Sequence, residues 1–431
     1  MERKTNESLL VEKFDQSNGL LAQGSDSSWM NSRRRAIKAF AEVGFPGKRS
    51  ESYKYTPIAK WVDAHFKAES TRPVSAAKSA FESLSGIHLK TTNGQLMSDV
   101  SCEGTEGITI CSLQQAAANN PVFLNDYLSK AVVLERDAFS ALASAFAEDG
   151  ILIHVQQGVH IDEPIVIHHD SVFVNGLIQP RILIVAEAGS SVKIVEHFPH
   201  IDSGSSFENR VVEVFVAESA NIDHVVVLER SKQALFVNAL YVHQAEKSIF
   251  RTNTVTLSGG MVRNNLNFLP NAEECETHLH GLYLAKGTSH IDNHTLVDHA
   301  MPNCFSNEMF KGIVTDSATG VFNGKVLVRQ DAQKTNAYQS SKSIVLDRNA
   351  QIFAKPELEI YADDVKCSHG ATTGELDDEA LFYLRARGIK PEVAKLMLLE
   401  AFARDVVDLI EIDGVKEYLY TRLHELLRHE A

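Results

Sequence analysis

The chain has 431 residues, 44% of them hydrophobic and 23% charged, the make-up of an ordinary folded protein, which excludes a disordered tail. Asp and Glu number 56 against 42 Lys and Arg, for a formal net charge of −14, so there is no electrostatic case for broad binding to nucleic acid or anionic membranes. Five scattered cysteines (Cys102, Cys111, Cys275, Cys304, Cys367) without a CxxC exclude a zinc ribbon, a four-cysteine cluster motif and a secreted disulfide scaffold.

The N-terminus, MERKTNES, lacks the apolar core of a signal peptide. The longest apolar runs, such as residues 181–186, fall far short of the ~20 residues that span a bilayer. The expectation is a cytoplasmic protein. Residues 1–149 read as a mostly helical N-terminal domain. Leu9 to Phe14 and Arg35 to Val43 carry apolar residues at helical spacing. GFPGKRSESYKYTPI (44–58) is a loop by its two glycines and two prolines. STRPVS (70–75) reads as a linker. Strand-like pieces follow at Ile87–Leu89 and Ile108–Cys111, then helical patterns at Val122–Leu128 and Asp137–Phe146.

From Gly150 the texture changes to short Val/Ile-rich runs: ILIHV, IVIHH, RILIVAEA, VVEVFVAE, HVVVLER, FVNALYVHQA. Similar tight turns punctuate them, beginning at Ala186, Ala217, Ala245, Ala272, Ala285, Asp316 and Asp347, with spacings of 31, 28, 27, 13, 31 and 31. A ~30-residue period of strands and turns without helices is the signature of a solenoid whose coils must stack to bury their apolar faces. Residues 150–374 therefore read as a β-helix of about seven coils, with a β-sandwich as the alternative. Residues 375–431 read as three helices. The first starts with Asp377 and Asp378 and ends at Gly388; the second runs from Pro391 to about Ile412; the last covers Val415–His429. The middle helix has a wider apolar stripe (Val393, Leu396, Met397, Leu398, Leu399, Ala401, Phe402, Val406, Val407, Leu409, Ile410) than one buried face needs; core packing explains most of it, and the excess is where a partner could dock.

No GxxxxGK[ST], no GxGxxG after a strand, no GxSxG and no HExxH is present, so the chain carries no nucleotide-binding, Rossmann, hydrolase-elbow or zincin motif. Two constellations remain. His278 and His280 share a strand face and, with Glu274 or Glu276, could hold a metal as in a cupin; a solvated histidine face is the plainer reading. Cys367 and His369 also lie two apart. If residues 358–366 form a strand, they share a face near the solenoid's end, where a thiolate beside an imidazole can ligate a soft metal. A structural cysteine beside a surface histidine stays open for this pair.

KPELEIYADDVKCSHGATTGELDDEALFYLRARGI (355–389) closely resembles the signature of the SufB/SufD family of iron–sulfur cluster assembly scaffolds. NHTLVDHAMPNCFSNEMFKGIVTD (293–316), VFNGKV (321–326) and SKSIVLDRNAQIFAKP (341–356) resemble it too. GFPGKRSESYKYTPI is similar to the LP-x-x-x-x-E-x-W-K-Y-T element of the family's SufD branch, with Phe45 in place of leucine and Tyr53 in place of tryptophan. The resemblance implies a mainly β fold, a right-handed parallel β-helix between N-terminal and C-terminal helical domains. It implies a non-catalytic scaffold that pairs with a SufB homologue and binds the ATPase SufC through its C-terminal helices, here through Asp378, Phe382, Tyr383, Arg385 and Arg387. It implies a transient iron–sulfur cluster at the SufB interface, where Cys367 and His369 are the matching residues and transient, shared metal ligands. It also implies no cofactor tightly bound to the isolated chain, and ATP bound by SufC. A homodimer of the isolated chain stays open, as does a self-contained β-helix or cupin-like metal or carbohydrate enzyme.

Overall fold

The computed structural model describes residues 5–21, 28–47, 49–67, 78–97, 106–171, 177–200 and 206–430. The expected linker at 70–75 and Cys102 lie outside the described residues. The chain opens with α1 (Asn6–Leu21), α2 (Ser28–Val43), a 3-10 turn (Glu51–Tyr53) and α3 (Ile58–Lys67). Three short strands, β1 (Ile87–Thr92), β2 (Gln95–Leu96) and β3 (Ile108–Ser112), lead to α4 (Leu113–Asn119), α5 (Pro121–Tyr127) and α6 (Ala138–Phe146). Local chemistry sets these starts. Ser112 and Gln115 form a reciprocal capping box on α4. Asn120 caps α5, whose first residue is Pro121, and Asp137 caps α6.

The solenoid is built from β4 (Ile151–Val155), β5 (Ile165–Asp170), β6 (Leu177–Ile178), β7 (Arg181–Ala186), β8 (Ser191–Phe198), β9 (Phe207–Val216) and β10 (Asn221–Glu229). It continues through β11 (Leu235–Gln244), β12 (Ile249–Ser258), β13 (Met261–Pro270), β14 (Glu276–Ala285) and β15 (His290–His299). It ends with β16 (Phe305–Val314), β17 (Thr319–Val328), β18 (Asn336–Val345), β19 (Gln351–Ile360) and β20 (Lys366–Gly374). Successive strands fall alternately into two parallel sheets. One runs β5-β8-β10-β12-β14-β16-β18-β20, the other β4-β7-β9-β11-β13-β15-β17-β19. This is the expected β-helix, of about seven turns. β1 adds in parallel to β5, with β2 beyond it, and β3 adds antiparallel to β4, so both sheets begin with strands from before residue 150.

The irregular 13-residue step in the turn spacing has a geometric cause. Turns at Ala186, Ala217, Ala245 and Ala272 lie at one corner of the coil; those at Ala285, Asp316 and Asp347 lie at the opposite corner. At the first corner six successive coils each place one residue in the left-handed region: Gly189, Ser219, Lys247, Glu274, Asn303 and Lys334, with φ of 68, 58, 58, 58, 61 and 60°. The next residue is small and buried, giving a ladder of Ser190, Ala220, Ser248, Cys275, Cys304 and Thr335. Two of the scattered cysteines are rungs of it.

Apolar residues fill the bore, among them Ile153, Ile184, Ile194, Val214, Phe250, Leu279 and Phe310. Both outer faces are covered as well. Leu10, Phe40, Phe139 and Leu142 of the N-terminal helices pack on Phe207, Val211, Val237 and Tyr241. On the other sheet, α8 (Pro391–Val407) and α9 (Asp413–Leu427) pack Leu399, Val406, Leu419 and Leu423 on Val227, Val255, Leu282, Leu284 and Ile313. Strands buried on two faces need not alternate, hence the near-continuous apolar runs. The bore is not wholly apolar: buried Glu196 accepts from Arg210, His169 and His224, and the Arg210 guanidinium beside it holds its carboxyl well below the usual range against the effect of burial.

The middle C-terminal helix stops at Val407, short of the expected Ile412, because Leu409 and Ile410 fold into a tight turn with amides bonded to Val406 and Val407. Its wide apolar stripe is mostly consumed between the sheet and α9. Val393, Met397 and Leu409 remain exposed. Among the described residues no helix is long and apolar enough to cross a membrane.

Candidate functional site at the last coil

Among the described residues the last coil is uncovered: β19 pairs only with β17, and β20 only with β18, so two neighbouring strands present free backbone edges, a surface that invites a partner. Ile360, Tyr361 and Tyr338 are exposed around it. The expected strand over 358–366 is corrected: β19 ends at Ile360, a turn follows, and Cys367 and His369 lie on β20. β20 runs on to Gly374, the expected end of the solenoid.

The two residues share a face, as period-two spacing requires, and the register says which. Ala337 pairs with Cys367 and Gln339 with His369; Ala337 and Gln339 are buried. Cys367 and His369 thus stand over the bore, at its mouth, rather than on the outer wall. Cys367 is half-buried and packs with Val326, Ala337, Ala362 and Leu358. Burial pushes its thiol up, partly offset by a backbone hydrogen bond at Ala337, so at neutral pH it is a thiol that a bound metal would deprotonate. His369 is exposed. The opposite wall of the mouth is Ile352, Ala354, Pro356 and Leu358 of β19, partly exposed.

Below the mouth the same row continues as Gln339 and Glu308. Glu308 is 0% exposed, takes the Thr295 hydroxyl at 2.6 Å and the Gln339 amide at 3.2 Å, and burial pushes its carboxyl up to about 7. The sequence reading missed it. Glu308 sits in SNEMFKG, where a glutamate passes for a surface residue; the signal was that Ser306, Glu308 and Phe310 alternate on one face.

The other constellations separate. His278 and His280 do share the outer face of β14, with ring centroids 6.2 Å apart. His278 meets Glu276 at 3.5 Å and His280 meets Asn253 at 3.2 Å. Among the described residues no three His, Cys, Asp or Glu side chains converge as a metal site. His290 bonds Thr56, His294 lies 3.7 Å from Asp292, and His299 bonds Ser306. Asp292 also holds Arg263, whose guanidinium lies 3.9 Å from the Tyr53 ring centroid; Tyr55 stacks on Phe353. The 44–58 element therefore clasps the wall of the solenoid.

The helical patch is open. α7 (Asp378–Ala386) buries no residue and is capped by Asp377, which accepts from Glu379 and Ala380. Asp378, Phe382, Tyr383, Arg385 and Arg387 are all exposed, Phe382 at 71% and Tyr383 at 56%. Arg387 lies over the Tyr383 ring at 4.7 Å, which leaves Arg385 to project elsewhere. Gly388, at φ 85°, ends the helix.

Residues 168–402 match the family model described as SUF system FeS cluster assembly, SufBD core domain, and residues 4–167 match that of the SufBD protein N-terminal region. The chain is 30% identical over 408 residues to an iron–sulfur cluster assembly SufBD family protein of Synechocystis, covering 91% of this chain and 89% of the relative. It is 27% identical over 403 residues to the iron–sulfur cluster assembly protein SufD of Escherichia coli, covering 91% of each. It is 31% identical over 283 residues to the chloroplastic protein ABCI7 of Arabidopsis thaliana, covering 63% of this chain and 59% of the relative.

Proposed function

We propose that this chain, which belongs to the SufBD family of iron–sulfur cluster assembly proteins, works in the cytoplasm as a SufD-like, non-catalytic subunit that pairs with a SufB homologue and binds the ATPase SufC. The observation that carries this reading is the uncapped last coil with Cys367 and His369 side by side over its bore. The free edges of β19 and β20 are the contact for the SufB-type subunit. A thiol and an imidazole there are two donors suited to iron, too few to hold a cluster alone, so the cluster is a transient cargo completed by partner ligands. The exposed Phe382 and Tyr383, ringed by Asp378, Arg385 and Arg387, are the contact for SufC, which supplies the ATP site this sequence lacks.

His369→Ala in the purified three-component complex should lower iron and acid-labile sulfide at least fivefold without dissociating the complex. Its melting temperature should hold, because the exposed ring has little packing to lose. Cys367→Ala should do less if the partner supplies the main thiolates. A His369→Ala complex with wild-type iron and sulfide would withdraw the assignment.

A further inference from the structure

Among the described residues Glu308 is a buried carboxyl without a counter-ion. From β14 the register neighbour is Leu279, and from β15 the facing group is Thr295. β15 also brings His299, bonded to Ser306 and pushed down to about 4 by burial, hence neutral. β17 supplies Phe322 and Gly324, β18 supplies Gln339, and on its own strand the same-face neighbours are Ser306 and Phe310. No charged group is among these. Gln339, 3% exposed, donates its amide N–H to Glu308 Oε1, while its own Oε1 is buried and has no hydrogen-bond partner among the described residues. A Cβ at Gly324 would overlap the Gln339 amide and the Phe322 ring, so the glycine makes the space this amide occupies. His369 is the next residue in the row.

We propose that Glu308 and Gln339 are positioning residues for the mouth: Glu308 decides which end of the Gln339 amide faces His369 and Cys367, and so whether the floor beneath them offers an acceptor or a donor. The inference rests on the reading of Cys367 and His369 as the assembly residues. With Glu308 ionised, the amide N–H₂ points down to it and the Oε1 acceptor is left for the mouth, where it can take an imidazole N–H and leave the other ring nitrogen with a free lone pair. When Glu308 takes up a proton on Oε1, the oxygen that faces Gln339, that O–H donates while Oε2 keeps the Thr295 hydroxyl; the amide turns over to accept it, and N–H₂ faces the mouth, where it favours a thiolate or sulfide. Burial places that exchange near neutral pH.

The test has two arms. In the isolated chain labelled with ¹⁵N-glutamine, the Gln339 side-chain resonance, identified by its loss in Gln339→Met, should move between pH 6.0 and 8.5 with a midpoint near 7. Glu308→Gln should abolish that movement. In the three-component complex, iron and sulfide content should vary several-fold over the same range, and Glu308→Gln should flatten the profile to less than twofold. A wild-type Gln339 resonance that does not respond to pH overturns the inference, even if Glu308→Gln fails to fold, and leaves the proposed function standing. A resonance that titrates and is silenced by Glu308→Gln, with His369→Ala assembling normally, supports the switch and overturns the function assigned to the mouth.

Discussion

Glu213→Ala is expected to cost the protein about 5 kcal/mol or more, and to release the segment around residues 113–146 from the solenoid. Glu213 lies on the outer face of β9 and is 0% exposed in its side chain. It accepts the backbone amides of Ser129, Ala131 and Val132 at 2.8, 2.9 and 3.3 Å and pairs with Arg181, which also reaches Ser144 and Ser129. Removing the carboxylate leaves a buried guanidinium without its partner, which costs about 3–5 kcal/mol. It also strands three amides at roughly 1–3 kcal/mol each, less what water recovers. The sum approaches the whole net stability of an ordinary domain. Glu213→Gln keeps one acceptor and should be milder. Limited proteolysis within residues 119–137 together with chemical denaturation reads both effects. A Glu213→Ala protein within 0.5 kcal/mol of wild type and equally resistant to protease would contradict the clamp.

The second large effect is acid instability. Burial pushes His168, His280, His294 and His299 down to about 4 and His197 to about 3, against about 6.5 in an unfolded chain. These groups are neutral when folded. Below pH 6.5 the unfolded chain binds protons that the folded one refuses, so their stabilisation, complete above 6.5, is lost as pH falls through 4. Each such group amounts to about 3 kcal/mol when fully lost. Glu308 has the opposite sign: raised to about 7, it favours the fold below about 4.5 and loses that advantage as pH rises through 7, and one such group does not offset five. The urea midpoint should be flat from pH 8.5 to 7 apart from a shallow Glu308 slope, fall steeply below 6.5, and reach zero near pH 5. His197→Gln and His280→Gln together should flatten the fall. An unchanged midpoint at pH 5 would show that these rings titrate freely.

How far the sequence could be read follows from what repeats. Turn residues recur once per coil because the first corner repeats one left-handed residue followed by a small buried one, so the period and even the half-period step were visible. Sidedness was not. In β14, Leu279 points into the bore while Leu282 and Leu284 lie under the C-terminal helices, and a strand covered on both faces gives no polar side by which to orient it. Cys367 and His369 could therefore be placed together but not over the bore. That took the register with Ala337 and Gln339, which also exposes Glu308. The C-terminal stripe divides on the same ground: α8 meets both the sheet and α9, so most of its apolar residues are core, while Val393, Met397 and Leu409 stay exposed and the more exposed Phe382 lies on α7.

The most direct measurement is co-expression of this chain with SufB-type and SufC-type partners, followed by affinity capture on this chain and sizing of what is retained. One stable complex holding all three chains is expected, with SufC lost from Phe382→Ala/Tyr383→Ala at unchanged SufB content. A chain that is recovered alone, folded and without either partner, would contradict the account at its centre.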